Sequence, residues 1–533
     1  MGETLRSSSR LSAAVLFSRI LGVVRESVFA ALLGASALAD AYQVAFRIPN
    51  LLRDLFAEGA LSSAFVPAFT AKLVDEGKDA ALRLGNLVLA GVSMITGGLS
   101  LLAIMFADEL VAAISGGFAG DVAKTRVTIE LTRIMMPILW LVSASAVWMG
   151  MLNAQRRFLA PALAPALFNV ASIIVGAVLL MAGSPPEQAV TWWSVGTLLA
   201  AAVQLVAQLP ALWKLGYRPL LRLVGLCKDP SIRRIVALLG PAVIGLAAVQ
   251  INVFVNTRFA AELGDGPVSQ LAWAFRLFYL PIGMFGVALA VVTTTRVSED
   301  AARGDRKALA ARTREGLDAV WMLTTASAVG LFVLAEPIVS LVYEHGRFTK
   351  GDTLATASVL CAYVVGLAPY SVVKILAPGF YGVDKPRIPL LASVLAVIVN
   401  VTFNAATYQR LGAPGIALGT TLGAFVNMVV LRIGFDHMIA TIDRRDWSIR
   451  WGSLVLANAV LAAVVWSAWL GITQLASSFE SLAFVLTRIV GLVAIVLVGF
   501  LAYVWMLARL RYPGAASLLD MSRSLLGRRA AHR

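Results

Sequence analysis

Five arginines stand inside apolar stretches where a guanidinium is expensive: Arg19, Arg25, Arg47, Arg53 and Arg276. Placing such a charge mid-bilayer costs from about 2.5–3.5 kcal/mol on insertion scales to far more in simulation, so it normally faces a cavity or a partner. Carboxylates lie near four of them: Glu26, Asp54 and Glu58, with Asp40 at the start of the second stretch. Arg19, Gly22 and Glu26 share one helix face, because seven residues is nearly two turns. One reading makes Arg19–Glu26 and Arg53 with Asp54 or Glu58 internal ion pairs that fix helix packing. The other makes the surplus cation a binding site for an anionic ligand, since guanidinium grips phosphate oxygens bidentately. Ion pairing accounts for some of these residues but not for the set, because the stretch around Arg276 has no acid of its own. Gly59, with Ala60, Ser62 and Ser63, gives the second stretch a small-residue surface for close packing or gating.

Enzyme chemistry finds little support. No Ser/His/Asp or Cys/His constellation, Walker loop or metal-type cluster is present. The two cysteines, Cys227 and Cys361, are far apart, and His345, His437 and His532 are scattered, so neither a disulfide framework nor a metal site is implied. A transporter with no cofactor is the expectation.

The elements that carry these residues are membrane helices. Of 533 residues, 59% are hydrophobic and 14% charged, too little polar surface for a soluble chain of this length. Apolar stretches of about 20 residues recur, each long enough to cross a hydrocarbon core of about 30 Å. They predict about fourteen transmembrane helices, centred near residues 22, 55, 96, 140, 171, 202, 248, 283, 330, 366, 398, 425, 462 and 496. Pro49-Asn50 is expected to interrupt the second. The first stretch, with Arg19 and Arg25 and no small-residue cleavage site after it, does not read as a cleavable signal peptide.

The net charge of +15 follows topology. With the N-terminus (Arg6, Arg10) in the cytoplasm, alternate loops carry most cations, among them Lys72, Lys78, Arg83, Arg156, Arg157, Lys385, Arg387, Arg444 and Arg445. The intervening loops hold few, such as Lys124 and Arg126. That asymmetry is the positive-inside pattern, and an even helix count puts both termini inside. No basic soluble domain remains to carry nucleic acid.

A repeat is visible by eye. Val44-Ala45-Phe46-Arg47-Ile48 matches Trp273-Ala274-Phe275-Arg276-Leu277 at a shift of 229 residues. The same shift pairs Leu152–Arg156 with Tyr381–Lys385, both ahead of proline-rich helix starts. A shift of six helices keeps orientation, so the halves are parallel repeats, with a substrate site expected between two lobes. The expected division is an N-lobe over 1–225 (helices 1–6), a C-lobe over 226–445 (helices 7–12), helices 13–14 over 446–512 and a basic cytoplasmic tail over 513–533.

The same charged stretches resemble the MurJ (MviN) lipid II flippases of the multidrug/oligosaccharidyl-lipid/polysaccharide exporter superfamily. The resemblance is carried by Ser18-Arg19-Ile20-Leu21-Gly22-Val23-Val24-Arg25-Glu26, by Ala39-Asp40-Ala41-Tyr42 through Arg53, and by Phe56–Pro67, the most specific element. Leu152-Asn153-Ala154, Arg276 with Gly286–Leu289, and Lys374–Tyr381 extend it over helices 1 to 12. It implies flipping of lipid II, the undecaprenyl-pyrophosphate-linked peptidoglycan precursor, from the inner to the outer leaflet of a bacterial inner membrane. It also implies that Arg19, Arg25, Asp40, Arg53 and Arg276 line the cavity, with Arg47 at a position basic in relatives and Glu26, Glu58 and Gly59 serving packing or gating. Helices 13–14 are implied to form a groove for the polyprenyl tail. Membrane phospholipids and cell-wall synthesis proteins would be its further partners.

Two departures bear on mechanism. Tyr279 occupies a position that can be acidic in relatives. Where some relatives use carboxylates on helices 7 and 11 for sodium, the counterparts here are amides: Asn252 or Asn256, and Asn400 with Asn404. Sodium coupling is therefore disfavoured, and drive by the membrane potential fits better. The alternatives are a related exporter of drugs or of another polyprenyl-linked glycan, a glycosyltransferase acting on lipid II, and a non-transporting scaffold.

Overall fold

A computed structural model describes residues 2–54, 60–221, 224–226, 229–442, 447–477 and 481–515. Among them every regular element is helical, as it must be where lipid offers the backbone no partner and each N–H has to find a carbonyl within its own helix. The first eleven helices are α1 Gly2–Leu33, α2 Ala37–Arg53, α3 Ala60–Asp75, α4 Lys78–Met105, α5 Ala107–Ser115, α6 Val122–Met135, α7 Ile138–Ala154, α8 Leu159–Met181, α9 Pro186–Val206, α10 Leu209–Trp213 and α11 Pro230–Ala261. They are followed by α12 Pro267–Pro281, α13 Val287–Ala302, α14 Arg306–Val333, α15 Ala335–Tyr343, α16 Lys350–Val364, α17 Leu367–Gly382, α18 Arg387–Met438, α19 Trp447–Ala476 and α20 Ser481–Arg509.

Nine helical stretches among the described residues are long and apolar enough to cross a membrane. The charged α1 is not one of them. Two expected helix centres fall on short breaks. Residue 283 lies in a π turn, Ile282–Gly286, directly after Pro281, where the missing proline N–H loosens the helical ladder. Residue 366 lies between α16 and α17. Pro49, by contrast, does not interrupt: α2 runs through it to Arg53 with the ring buried. The expected centre at 55, with Glu58 and Gly59, lies outside the described residues.

The chain forms two compact units, Met1–Ser269 with Val342–Asp352, and Gln270–Leu341 with Thr353–Arg533. In the first, α1 packs on α8 and α2 on α6, while α3, α4 and α7 close around Phe65, Phe69, Leu84, Trp148 and Met151. Side-chain caps mark the starts: Ser36 accepts from the Ala39 N–H at 3.3 Å, and Asp121 from that of Lys124 at 2.9 Å.

In the second unit, α17 packs on α13, α14 and α18, and the C-terminal pair α19–α20 docks on α14. Polar contacts fix that docking. Arg450 pairs with Asp318, the Tyr503 hydroxyl donates to the Met322 carbonyl at 2.9 Å, and Asn458 Nδ2 donates to Thr325 Oγ1 at 3.0 Å. Helix α18 is two arms, 387–411 and 413–438, joined at Gly412, whose φ of 62° and ψ of −149° leave the helix. The arms lie close because Gly419 and Gly423 have no side chain, and Asn404 and Asn400 stand against them.

The internal repeat is present in three dimensions. Val44 and Trp273 are fully buried, as are Ala45 and Ala274, while Phe46-Arg47 and Phe275-Arg276 are partly exposed and Ile48 and Leu277 are buried again. Each copy adds a stacked aromatic pair one turn apart, Tyr42 on Phe46 at 5.6 Å and Phe275 on Tyr279 at 5.9 Å. The second pair of segments shares a turn, with Arg156 and Asp384 at φ 59° and 55°. In each the next N–H returns five residues at 2.8 Å, Arg157 to Leu152 and Lys385 to Phe380, which closes the preceding helix. The matching offset in this turn is 228 rather than 229.

A Cβ at Gly419 would overlap the Asn404 carboxamide. Gly419→Ala should therefore force the arms of α18 apart at about 1–3 kcal/mol, read as a lowered midpoint of thermal unfolding in detergent. An unchanged midpoint would show that the arms have slack.

Candidate functional site

Helix α1 is held against α8 and α9, and its charges lie on that packed length. Arg25 and Glu26 are both buried, and Arg25 Nη2 donates to Glu26 Oε1 at 2.6 Å. The Arg25 guanidinium also lies 5.3 Å over the Phe168 ring of α8. Glu26 thus pairs with Arg25 and not with Arg19, which lies nearly two turns back on the same face. Arg19 is half-buried and makes no ion pair or hydrogen bond with any described residue.

At the other end of α2, Arg53 Nε and Nη2 both donate to Asp54 Oδ1, at 3.2 and 2.9 Å. Gln250 of α11 donates to Asp54 Oδ2 at 3.4 Å. The pair is about one-third exposed, 28% for Arg53 and 36% for Asp54, whereas the Arg25 pair is buried. Arg47 is half-buried between them in sequence. The first unit therefore brings Arg25 to Glu26 and Arg53 to Asp54. Arg276 belongs to the second unit, half-buried on α12 two turns from the π segment.

Asp40 is placed differently from the other candidates. It is fully buried and its carboxylate has four donors. Lys124 Nζ and the Gly266 N–H approach Oδ2 at 3.1 and 2.8 Å, and the Ser269 N–H and hydroxyl approach Oδ1 at 2.8 and 2.7 Å. Lys124 is itself buried, donating also to Asp265 at 2.9 Å and to the Gly264 carbonyl at 3.1 Å, with Phe118 beneath it at 4.5 Å. No lone pair of this carboxylate is left for a ligand. Instead it fastens the start of α2 and the start of α6 to the segment Gly264–Ser269.

A second fastening holds 342–352 to the end of α1. The Arg347 N–H donates to the Ala31 carbonyl at 2.9 Å, and its guanidinium reaches the carbonyls of Leu32 at 2.8 Å and Ser184 at 3.3 Å. Gly34 and Gly346 allow this approach, since a Cβ on either would run into the facing backbone. Neither fastening is legible in sequence, because Lys124 and Asp40 are 84 residues apart and Arg347 and Leu32 are 315 apart.

One cation passed over by the sequence reading is Lys374. It is half-buried in α17, 5.4 Å over the Tyr370 ring, with no carboxylate partner among the described residues. The available signal was a lone lysine deep in an apolar stretch. The amides Asn400 and Asn404 are buried and hydrogen-bonded, Asn404 Nδ2 to Asn400 Oδ1 at 3.2 Å and Asn400 Nδ2 to Thr420 Oγ1 at 3.3 Å.

Residues 29–507 match the family model described as lipid II flippase MurJ. The chain is 32% identical over 462 residues to the lipid II flippase MurJ of Burkholderia cenocepacia, covering 86% of this chain and 89% of that one. It is 32% identical over 500 residues to the probable lipid II flippase MurJ of Vibrio cholerae, covering 92% and 94%. Among solved structures it resembles a lipid II flippase MurJ in an inward closed conformation, with a TM-score of 0.74 at 25% identity over 92% of this chain and 97% of that one. A multidrug MATE transporter in an inward-facing conformation shares the fold at a TM-score of 0.67 and 16% identity, over 80% of this chain and 96% of that one. A multi-pass helical protein with its charges on α1, α2 and α12, matched along nearly its whole length, this chain belongs to the MurJ family.

Proposed function

We propose that the protein carries lipid II from the inner to the outer leaflet of a bacterial inner membrane by alternating access, with both termini in the cytoplasm. Its relatives' names supply the substrate class. The observation that carries the reading is local charge. With Asp40 consumed by Lys124, Gly266 and Ser269, the stretch from Arg19 to Asp54 sets four arginines against two other carboxylates, Glu26 and Asp54. Arg19 has no acceptor from the described residues. A pyrophosphate is the ligand such a surplus suits, because its oxygens accept paired guanidinium N–H donors.

Arg19, Arg25, Arg47 and Arg53 of the first unit, and Arg276 of the second, serve the pyrophosphate in this proposal. Asp40 acts as a fastener, and Glu26 sets the orientation of Arg25. Glu58 and Gly59 keep their expected packing or gating role. The substrate is transported, not chemically altered. In vesicles reconstituted with the purified protein, Arg19→Ala and Arg276→Ala should each lower lipid II flipping at least tenfold. Full flipping by both variants would sink the proposal.

In this proposal Gly264–Ser269 and 342–352, packed in the first unit but running into helices of the second, release α1, α2 and α6 during transport. The Asp40–Lys124–Ser269 cluster would then be a latch. Removing one partner of a buried ion pair costs about 3–5 kcal/mol, because the other charge is left dry and unpaired. Lys124→Ala should accelerate maleimide labelling of a cysteine introduced at Ser269, in a background lacking Cys227 and Cys361. Labelling at the unmodified rate would remove the latch.

Outward movement of an anionic headgroup runs with an inside-negative potential, worth about 2.3 kcal/mol per charge per 100 mV. The amides of α18 supply no negative charge for sodium. Collapsing the potential with valinomycin in potassium buffer is expected to slow flipping severalfold, whereas replacing sodium by choline should leave it unchanged. The reverse pattern would assign sodium as the driving ion.

A further inference from the structure

Arg488 lies seven residues into α20, whose sequence is otherwise apolar until Arg509. A rise of 1.5 Å per residue puts its Cα about 10 Å from the helix start. Helical side chains lean toward the N-terminus, so the guanidinium rises to the level of Phe484, over whose ring it lies at 5.4 Å. From α19 the buried Trp469 meets the same guanidinium at 5.5 Å. Two aromatic faces therefore fix the cation in position.

What the rings do not supply is an acceptor. Nε is enclosed without a hydrogen-bond partner, and Arg488 makes no ion pair or hydrogen bond with any described residue. Other cations of this unit are answered differently, Arg450 by Asp318 and Arg432 by Asp436. The surrounding surface faces lipid, with Leu486, Ile489, Val490 and Leu470 exposed. This end of the α19–α20 pair is opposite to Arg450, Arg509 and Arg511, which the positive-inside pattern assigns to the cytoplasm.

A guanidinium that is oriented, unpaired and set just below one membrane face lacks only an anion at headgroup depth. We infer that Arg488, framed by Trp469 and Phe484, is a seat for the phosphate of an outer-leaflet lipid. The phosphate belongs to a membrane phospholipid or to a polyprenyl pyrophosphate, and both present the oxygens that a guanidinium binds in pairs. The inference does not rest on the transport reading, because it concerns binding alone.

The test is native mass spectrometry of the full chain with phosphatidylglycerol, lipid II, and diacylglycerol as a lipid with tails and no phosphate. Arg488→Gln should weaken binding of the first phosphate-bearing lipid at least tenfold and leave diacylglycerol unaffected. Loss confined to lipid II identifies the cargo as occupant, and loss confined to phosphatidylglycerol identifies the membrane. Unchanged binding of both, or equal loss of diacylglycerol, overturns the inference. Should Arg488→Gln fail to fold, Trp469→Leu reads the same site by releasing the guanidinium from its ring, with the same expected and overturning results.

Discussion

A guanidinium withdrawn from water has to be answered by a carboxylate, an aromatic face, a carbonyl or a ligand, and this chain uses the first three. Arg25 has Glu26 beside it and Phe168 beneath it. Arg347 is taken up by the carbonyls of Leu32 and Ser184, and Arg450 by Asp318. Arg488 has rings alone, and Arg19 has no acceptor among the described residues. The arrangement is graded. Cations that hold helices together are paired, whereas Arg19, Lys374 and Arg488 have no acceptor among the described residues.

Much of the architecture was legible because the bilayer imposes simple rules. Length and apolarity mark helices, and the Val44–Ile48 and Trp273–Leu277 segments announce a repeat whose burial pattern agrees residue by residue. Local rules failed where a neighbour decided the outcome. Pro49 reads as a breaker, yet α2 passes through it. The resemblance implies that Asp40 lines the cavity, whereas its donors come from Lys124 and from Gly266 and Ser269. No period or spacing links those positions. Only the folded chain does.

The repeat extends to backbone geometry. Arg47 and Arg276 occupy one repeat position with one burial pattern, and each helix gives way to π geometry about two turns later, α2 at Asp54 and α12 at Ile282. Phe46 and Phe275 correspond, but their stacking partners lie on opposite sides: Tyr42 precedes Phe46, whereas Tyr279 follows Phe275.

The fastening at Asp40 has a kinetic meaning. All four of its donors come from one lysine and one short loop, and the carboxylate has no exposure to water. Such a contact cannot loosen by degrees, because losing one donor leaves the charge dry and the remaining donors misaligned. If transport requires its release, as proposed, that release would be cooperative, and the protein would change state in discrete jumps rather than by degrees.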